Sequence, residues 1–262
     1  MRKYLLFLLL AGLAGCEQKE KPAERESLKD IPPLPDFSSY TDVKAKKQAF
    51  FDYLLPLVRE ANARVMEERQ LAQKWVLGEE SLSTEEQTAL TALLKKYRIN
   101  TSEEDEQKDL LLRRVNRIPA SLVIAQAANE SGWGTSRFAI EGNNLFGQWC
   151  FTKGCGLIPE GRGDGQRHEV RRFRTPLASV ESYIRNLNSH PQYLELRNLR
   201  VKSLEEDGRV SGLELVPGLE SYSERGQEYI DEISNMIRFN KMGRFDQPLQ
   251  SQSAAEASAS GG

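Results

Sequence analysis

The segment from Pro119 to Ser131 constrains the fold more than any other. It reads Ala120-Ser121-Leu122-Val123-Ile124-Ala125-Gln126-Ala127-Ala128-Asn129-Glu130-Ser131. Apolar residues fall on nearly every face, and a helix that is apolar all round must be surrounded by other elements. Pro119 suits the first turn, where its missing N–H costs nothing. Gly132 is placed to end the helix. This helix should be buried at the centre of the domain, and the helical patterns elsewhere in the chain make the reading mainly α.

Those helices are legible. From about Val43, Phe50, Tyr53, Leu54, Leu57, Val58 and Ala61 recur at i+3 and i+4 spacing, with Pro56 expected to bend or break the run. Ser83 followed by Glu86 is a capping box ahead of Leu90, Leu93 and Leu94. Further helices are predicted over Asp109–Val115, Leu177–Ser189 and Gly226–Arg238. Between Asn143 and Phe173 periodicity fades, and six glycines fall between Gly147 and Gly165. This stretch reads as loops with a small β-lobe, about residues 143–175.

The ends differ in character. Met1-Arg2-Lys3 is basic, Tyr4 to Leu13 is apolar, and Leu13-Ala14-Gly15-Cys16 places small residues before a cysteine. The apolar run is short for a bilayer span and reads as a secretory signal over residues 1–15. It resembles the lipobox of bacterial lipoproteins, which implies cleavage before Cys16 and a lipid on its sulfur. Glu17, not Asp, follows Cys16, and the expectation is a lipid-anchored envelope protein at the outer membrane, facing the periplasm. Residues 16–41 are polar and proline-bearing, a tether, leaving 42–245 as the domain. Residues 246–262 are low in complexity and read as a disordered tail.

A formal net charge of −2 gives no nucleic-acid footprint. His168 and His190 lack ligand spacing to each other and to Cys150 and Cys155, so no metal site is expected. In an exported chain, Cys150 and Cys155 around a glycine-bearing turn suggest a disulfide that holds a loop locally, two free thiols being the alternative.

Glu130 is the residue with the most chemistry. Val123, Ala127 and Glu130 lie at i, i+4 and i+7, so a carboxylate shares a face with apolar side chains. Such a group is costly to ionise and its pKa should rise, as a general acid near neutral pH requires. Spacing alone also allows, and more readily, a glutamate turned to solvent or paired with an arginine.

The motifs go further. Asn129-Glu130-Ser131-Gly132-Trp133-Gly134 and Asn144-Leu145-Phe146-Gly147 resemble the signature of the Bax-type glucosaminidases, family 73 of the glycoside hydrolases. The likeness continues through Trp149-Cys150, His168-Glu169-Val170, the run Leu187 to Tyr193 and the run Tyr222 to Tyr229, over roughly residues 43–240. It implies a lysozyme-like α+β domain with a β-lobe forming one wall of a cleft, no cofactor, and hydrolysis of the β-1,4 bond after N-acetylglucosamine in peptidoglycan glycan strands by a monomeric enzyme. Glu130 matches the family's acid. In relatives a second carboxylate lies in the β-lobe, about where Glu169 stands; the resemblance makes Glu169 the base that activates or guides water, kept ionised on a mobile, solvated lobe, with Glu160 and Asp164 as rivals. A family tyrosine matches Tyr222, with Tyr229 as competitor. Trp133, Phe146 and Trp149 are candidates for sugar stacking or core packing, and Tyr229 is a further substrate contact. Asn144 is expected to support the site by orienting a loop or Glu130. The arginines at 162, 167, 171, 172 and 174 make the lobe basic: a solvated face, or an attraction for anionic stem peptides. A lytic transglycosylase, which needs only the acid, and a non-catalytic wall-binding lipoprotein are the alternatives.

Overall fold

The computed structural model describes residues 30–78, 81–163 and 165–246. The expected signal, Cys16 and the C-terminal tail from residue 247 lie outside the described residues.

The first helix, α1 (Val43–Leu77), starts at Asp42, whose carboxylate accepts from the Ala45 N–H at 2.7 Å. It runs unbroken for 35 residues. Pro56 was expected to interrupt it and does not. The ring sits on the exposed outer face, beside an exposed Asp52, so the Asp52 carbonyl freed by the missing N–H is left to water. Phe51, Leu54, Leu57 and Val58 are buried on the opposite face and hold both halves in line. Then come α2 (Thr84–Lys96), with the Ser83–Glu86 capping box formed, and α3 (Glu104–Arg114).

Next is α4 (Ala120–Ser131), the apolar helix, in which Leu122 to Ala125, Ala127 and Ala128 are fully buried. It packs against α1 and against elements from the C-terminal third. A short α5 (Arg137–Gly142) leads into the lobe. Its strands are β1 (Trp149–Cys150), β2 (Gly156–Leu157) and β3 (Glu169–Arg171). β3 lies central and antiparallel to both, with Cys150 opposite Glu169 and Leu157 opposite Val170. The chain returns to helices in α6 (Pro176–Ser189), α7 (Leu194–Asp207), the short α8 (Gly212–Leu215) and α9 (Gln227–Phe239), with 3-10 turns at Pro191–Tyr193, Val216–Tyr222 and Met242–Phe245. The architecture is a lysozyme-like α+β domain, mainly helical with one small sheet. Among the described residues no helix is long and apolar enough to cross a membrane.

Two regions read as peripheral are tied down. Phe37, inside the expected tether, is buried and packs edge-on against Phe50 and Tyr53, while the Tyr53 hydroxyl donates to the Pro32 carbonyl at 2.8 Å. An aromatic ring with an apolar slot to enter gains more from burial than a polar tether loses in freedom. At the other end Asp246 accepts from the Ser121 N–H and hydroxyl and from the Gly212 N–H, joining the last described residue to the start of α4.

Candidate active site

The site is built where α4 ends. The Ser131 hydroxyl donates to the Ala127 carbonyl at 2.6 Å and accepts from the Gly134 N–H at 2.8 Å. Gly132, Trp133 and Gly134 then take three successive left-handed conformations, with φ of 58°, 60° and 78°. Such backbone is strained for tryptophan. It is held because the indole packs between Phe50 and Phe51, at centroid distances of 5.5 and 5.6 Å, under the Lys47 ammonium. At Gly134 a Cβ would stand 2.5 Å from the Phe37 ring. The Gly-Trp-Gly turn is thus what reverses the chain immediately after Glu130 and docks it on α1.

Glu130 is half-buried at the mouth of this turn. Its Oε1 accepts the Tyr229 hydroxyl at 2.8 Å and, weakly, the Asn129 amide at 3.5 Å. Tyr229 in turn accepts from Gln126 Nε2 at 2.9 Å, and the Tyr183 hydroxyl donates to Gln126 Oε1. The chain of bonds has one polarity. Because the Tyr229 oxygen receives the Gln126 proton, its own proton is free to point at Glu130. Around it the rings form a single group. Tyr222 stacks on Tyr229 (5.4 Å, 10°), Tyr193 and Tyr183 lie against Tyr222, and Phe146 stacks on Tyr183 (4.0 Å, 9°). The Tyr222 hydroxyl donates to the Phe146 carbonyl at 3.3 Å.

Burial raises the Glu130 pKa above the ordinary carboxylate value. The Tyr229 and Asn129 hydrogen bonds oppose the rise, and the nearby Glu232 charge adds to it. Burial dominates because the helix around the carboxylate is apolar. The same burial raises the Tyr222 and Tyr229 hydroxyls far above their usual range and pushes Tyr193 up to about 12. These phenols stay neutral and act as donors, not as bases.

The lobe carries the second expected carboxylate, and its setting differs from expectation. Glu169 was read as a charge on a mobile, solvated loop, and it is buried instead. One oxygen accepts the Gly154 N–H at 2.9 Å and the other the Gly156 N–H at 2.8 Å, closing the turn that the Cys150–Cys155 disulfide spans. Those backbone bonds hold its pKa below the ordinary value. It is ionised because peptide dipoles replace water, and both oxygens are committed to the loop. A Glu169 oxygen and the two sulfurs lie within 4.8 Å of one another, but sulfurs bonded to each other offer no thiolate to a metal. Of the rivals, Glu160 is exposed and pairs with Arg137 at 3.7 Å, while Asp164 lies outside the described residues.

The remaining candidates divide cleanly. Phe146 and Tyr229 are buried in the aromatic group, and Trp133 is packed on α1. Asn144 is buried, its amide donating to the Gln148 and Arg171 carbonyls and its oxygen accepting the Phe146 and Gln148 N–H groups. It orients the loop, makes no bond to Glu130, and has no donor left over for a sugar. Trp149 is 59 % exposed and stacks on His168 at 4.1 Å, so it offers a free aromatic face.

Sequence reasoning missed Gln126, Tyr183 and Tyr193. Gln126 had a signal: a polar residue one turn before Glu130 in an otherwise apolar helix must find a buried partner. Tyr183 had none, since nothing local marks a hydroxyl for a partner 57 residues away, and Tyr193 joins the group through its ring against Tyr222.

Residues 111–242 match the model of the glucosaminidase family, described as mannosyl-glycoprotein endo-beta-N-acetylglucosaminidase. The chain is 32% identical over 213 residues to Protein bax of Escherichia coli (strain K12), an alignment covering 79% of this chain and 74% of that protein. No solved structure matches. The matched region holds α4 with its Glu130, the lobe and the tyrosine group, and the chain belongs to the glucosaminidase family of glycoside hydrolases.

Proposed function

We propose that this chain hydrolyses the β-1,4 glycosidic bond after N-acetylglucosamine in peptidoglycan, with Glu130 as general acid. The observation that carries the reading is the Glu130 carboxyl itself, half-buried at a helix end under four tyrosines, with its pKa raised by burial. A group so placed keeps its proton to higher pH than an ordinary carboxyl and gives it to the glycosidic oxygen as the bond to the anomeric carbon breaks. Trp149 supplies an exposed ring for a sugar face.

Two routes complete the reaction. In one, Glu169 leaves Gly154 and Gly156 and activates the water. In the other, the substrate's N-acetyl oxygen attacks the anomeric carbon, Tyr222 steadies it, and water opens the product. The bonds that already occupy both Glu169 oxygens favour the second. They also keep a lytic transglycosylase in view, since that chemistry needs the acid alone.

Digestion of purified sacculi by wild type, Glu130→Gln and Glu169→Gln, with product masses read out, tests the assignment. Reducing N-acetylglucosamine ends are expected from wild type and none from Glu130→Gln. Anhydro-sugar ends would establish the transglycosylase, and full activity of Glu130→Gln would overturn the acid assignment. Turnover by Glu169→Gln supports the N-acetyl route. The same reading places the enzyme at the bacterial envelope through lipid on Cys16, supported by the run Leu13-Ala14-Gly15-Cys16. An intact mass showing unmodified Cys16 on the mature chain would refute the anchor.

A further inference from the structure

A concavity lies beside Trp149, and Glu130 is not among the residues that line it. It has a volume of about 210 Å³ and is lined by three arginines from three elements: Arg98 after α2, Arg171 on β3 and Arg185 on α6. Its floor is one face of α6, where Ser182, Arg185, Asn186 and Ser189 recur at i, i+3, i+4 and i+7. No acidic residue lines it, and among the described residues no carboxylate pairs with any of the three guanidiniums. The nearest acids on the far side of Arg185 are taken, Glu181 by Arg64 and Glu68 by Lys96 and Tyr97.

Three guanidinium-bearing residues thus share one cavity that no carboxylate lines; Arg185 also reaches the Ser182 hydroxyl and borders the neighbouring pocket, and Arg171 lies over the Phe173 ring. Arg98 takes φ of 59° in the turn that ends α2, where its own N–H returns to the Lys95 carbonyl and the Ile99 N–H to the Leu94 carbonyl, and this cap sets its side chain at the cavity. The positive field is felt nearby: Arg98 helps to depress the pKa values of His190 and Arg114. Forked donors of this kind fit a carboxylate. The cavity also adjoins the site. Trp149 forms one wall, and the Asn186 side chain reaches the Tyr193 hydroxyl, whose ring lies against Tyr222.

We propose that the Arg98–Arg171–Arg185 cavity is a carboxylate subsite that takes the acidic peptide branch of the glycan, so that the enzyme prefers strands still bearing peptide. This rests on the peptidoglycan reading above. A sugar laid on the Trp149 ring would bring its branch to the cavity mouth, and each arginine–carboxylate contact would strengthen binding without touching the reacting bond.

The test compares peptide-bearing strands with the same strands stripped by an amidase, using wild type and the double variant Arg98→Gln, Arg171→Gln. Two partly exposed charge contacts together are worth roughly tenfold in affinity. For peptide-bearing strands KM should rise by about that factor in the variant, with kcat little changed, and the difference should shrink as salt is added. For stripped strands wild type and variant should coincide. Equal KM of wild type for the two substrates, or an equal loss by the variant on both, would overturn the subsite. A second arm uses no catalysis: binding of the free tripeptide L-alanyl-γ-D-glutamyl-diaminopimelate to both proteins by NMR titration. If wild type cleaves neither substrate, the peptidoglycan reading falls, and the titration decides the subsite alone. Binding lost in the variant sustains it, and no binding to wild type ends it.

Discussion

At Glu130 two effects compete. Burial disfavours the carboxylate, and the Tyr229 hydroxyl favours it. Removing the donor takes away the largest of the effects that oppose burial, so Tyr229→Phe should raise the pKa of the acid further. The alkaline limb of the pH–rate profile for glycan cleavage then moves to higher pH, even though the rate falls as the acid loses its orientation. A limb that stays in place would show that Tyr229 does not govern the acid. Stability follows with a defined sign. A carboxyl whose folded pKa lies above its unfolded value stabilises the fold while protonated. That contribution is lost as pH rises through the folded pKa. Glu130→Gln should therefore melt above wild type at neutral pH and converge with it well below the ordinary carboxylate value of 4.5. Equal melting temperatures across the range would contradict the raised pKa. The sequence singled out Glu130 through the helix and the motif, and the apolar surroundings that raise its pKa were legible in the spacing; the hydrogen bond from α9 that opposes the rise was invisible in any local window.

The β-lobe shows where sequence periods stop being informative. Glycines and fading periodicity marked its extent, yet strands of two and three residues have no alternation from which to read a face. Glu169 therefore read as a solvated charge, while β3 turns it inward onto the amides of Gly154 and Gly156. A glutamine has one acceptor oxygen where the carboxylate has two. Glu169→Gln should speed amide exchange at Gly154 or Gly156 while α4 and α6 keep their protection. The depressed pKa of Glu169 gives the matching acid response: its contribution is present above the ordinary carboxylate value and fades as pH falls through the lower folded one. Lobe protection, taken relative to the intrinsic exchange rate at each pH, should fall there in wild type and not in the variant. Uniform protection in both proteins would mean that the disulfide alone holds the loop. α1 teaches the converse lesson. The local rule for Pro56 was sound, but the ring faces water and the buried face on either side of it outweighs one lost hydrogen bond.

Across the whole molecule, the helices behind the site are joined by a buried cation that the sequence did not announce. The run Leu196-Arg197-Asn198-Leu199-Arg200 looks like a charged surface, and α7 escaped detection for that reason. Yet Arg200 is 1 % exposed. Its guanidinium donates to the Arg113 carbonyl at 2.7 Å, the Arg117 carbonyl at 3.1 Å, the Asn116 carbonyl at 3.3 Å and Asn188 Oδ1 at 2.6 Å. It thereby ties α7 to the end of α3, to the linker entering α4 and to α6. Burial pushes its pKa down to about 9, and the surrounding acceptors, with no carboxylate among them, are what keep the charge in place. Arg200→Met keeps much of the volume but strands those acceptors. Leaving buried polar groups unpaired costs about 3–5 kcal/mol here, a large share of the 5–15 kcal/mol on the order of which whole domains depend. Urea unfolding of the variant should show a lower midpoint with an unchanged slope, since the surface exposed is the same. Because Arg200 joins segments more than 80 residues apart, the loss should appear as one cooperative transition of the helical body, with tryptophan fluorescence and far-UV dichroism coinciding. A midpoint within error of wild type would mean that these bonds are no better than those the unfolded chain makes with water.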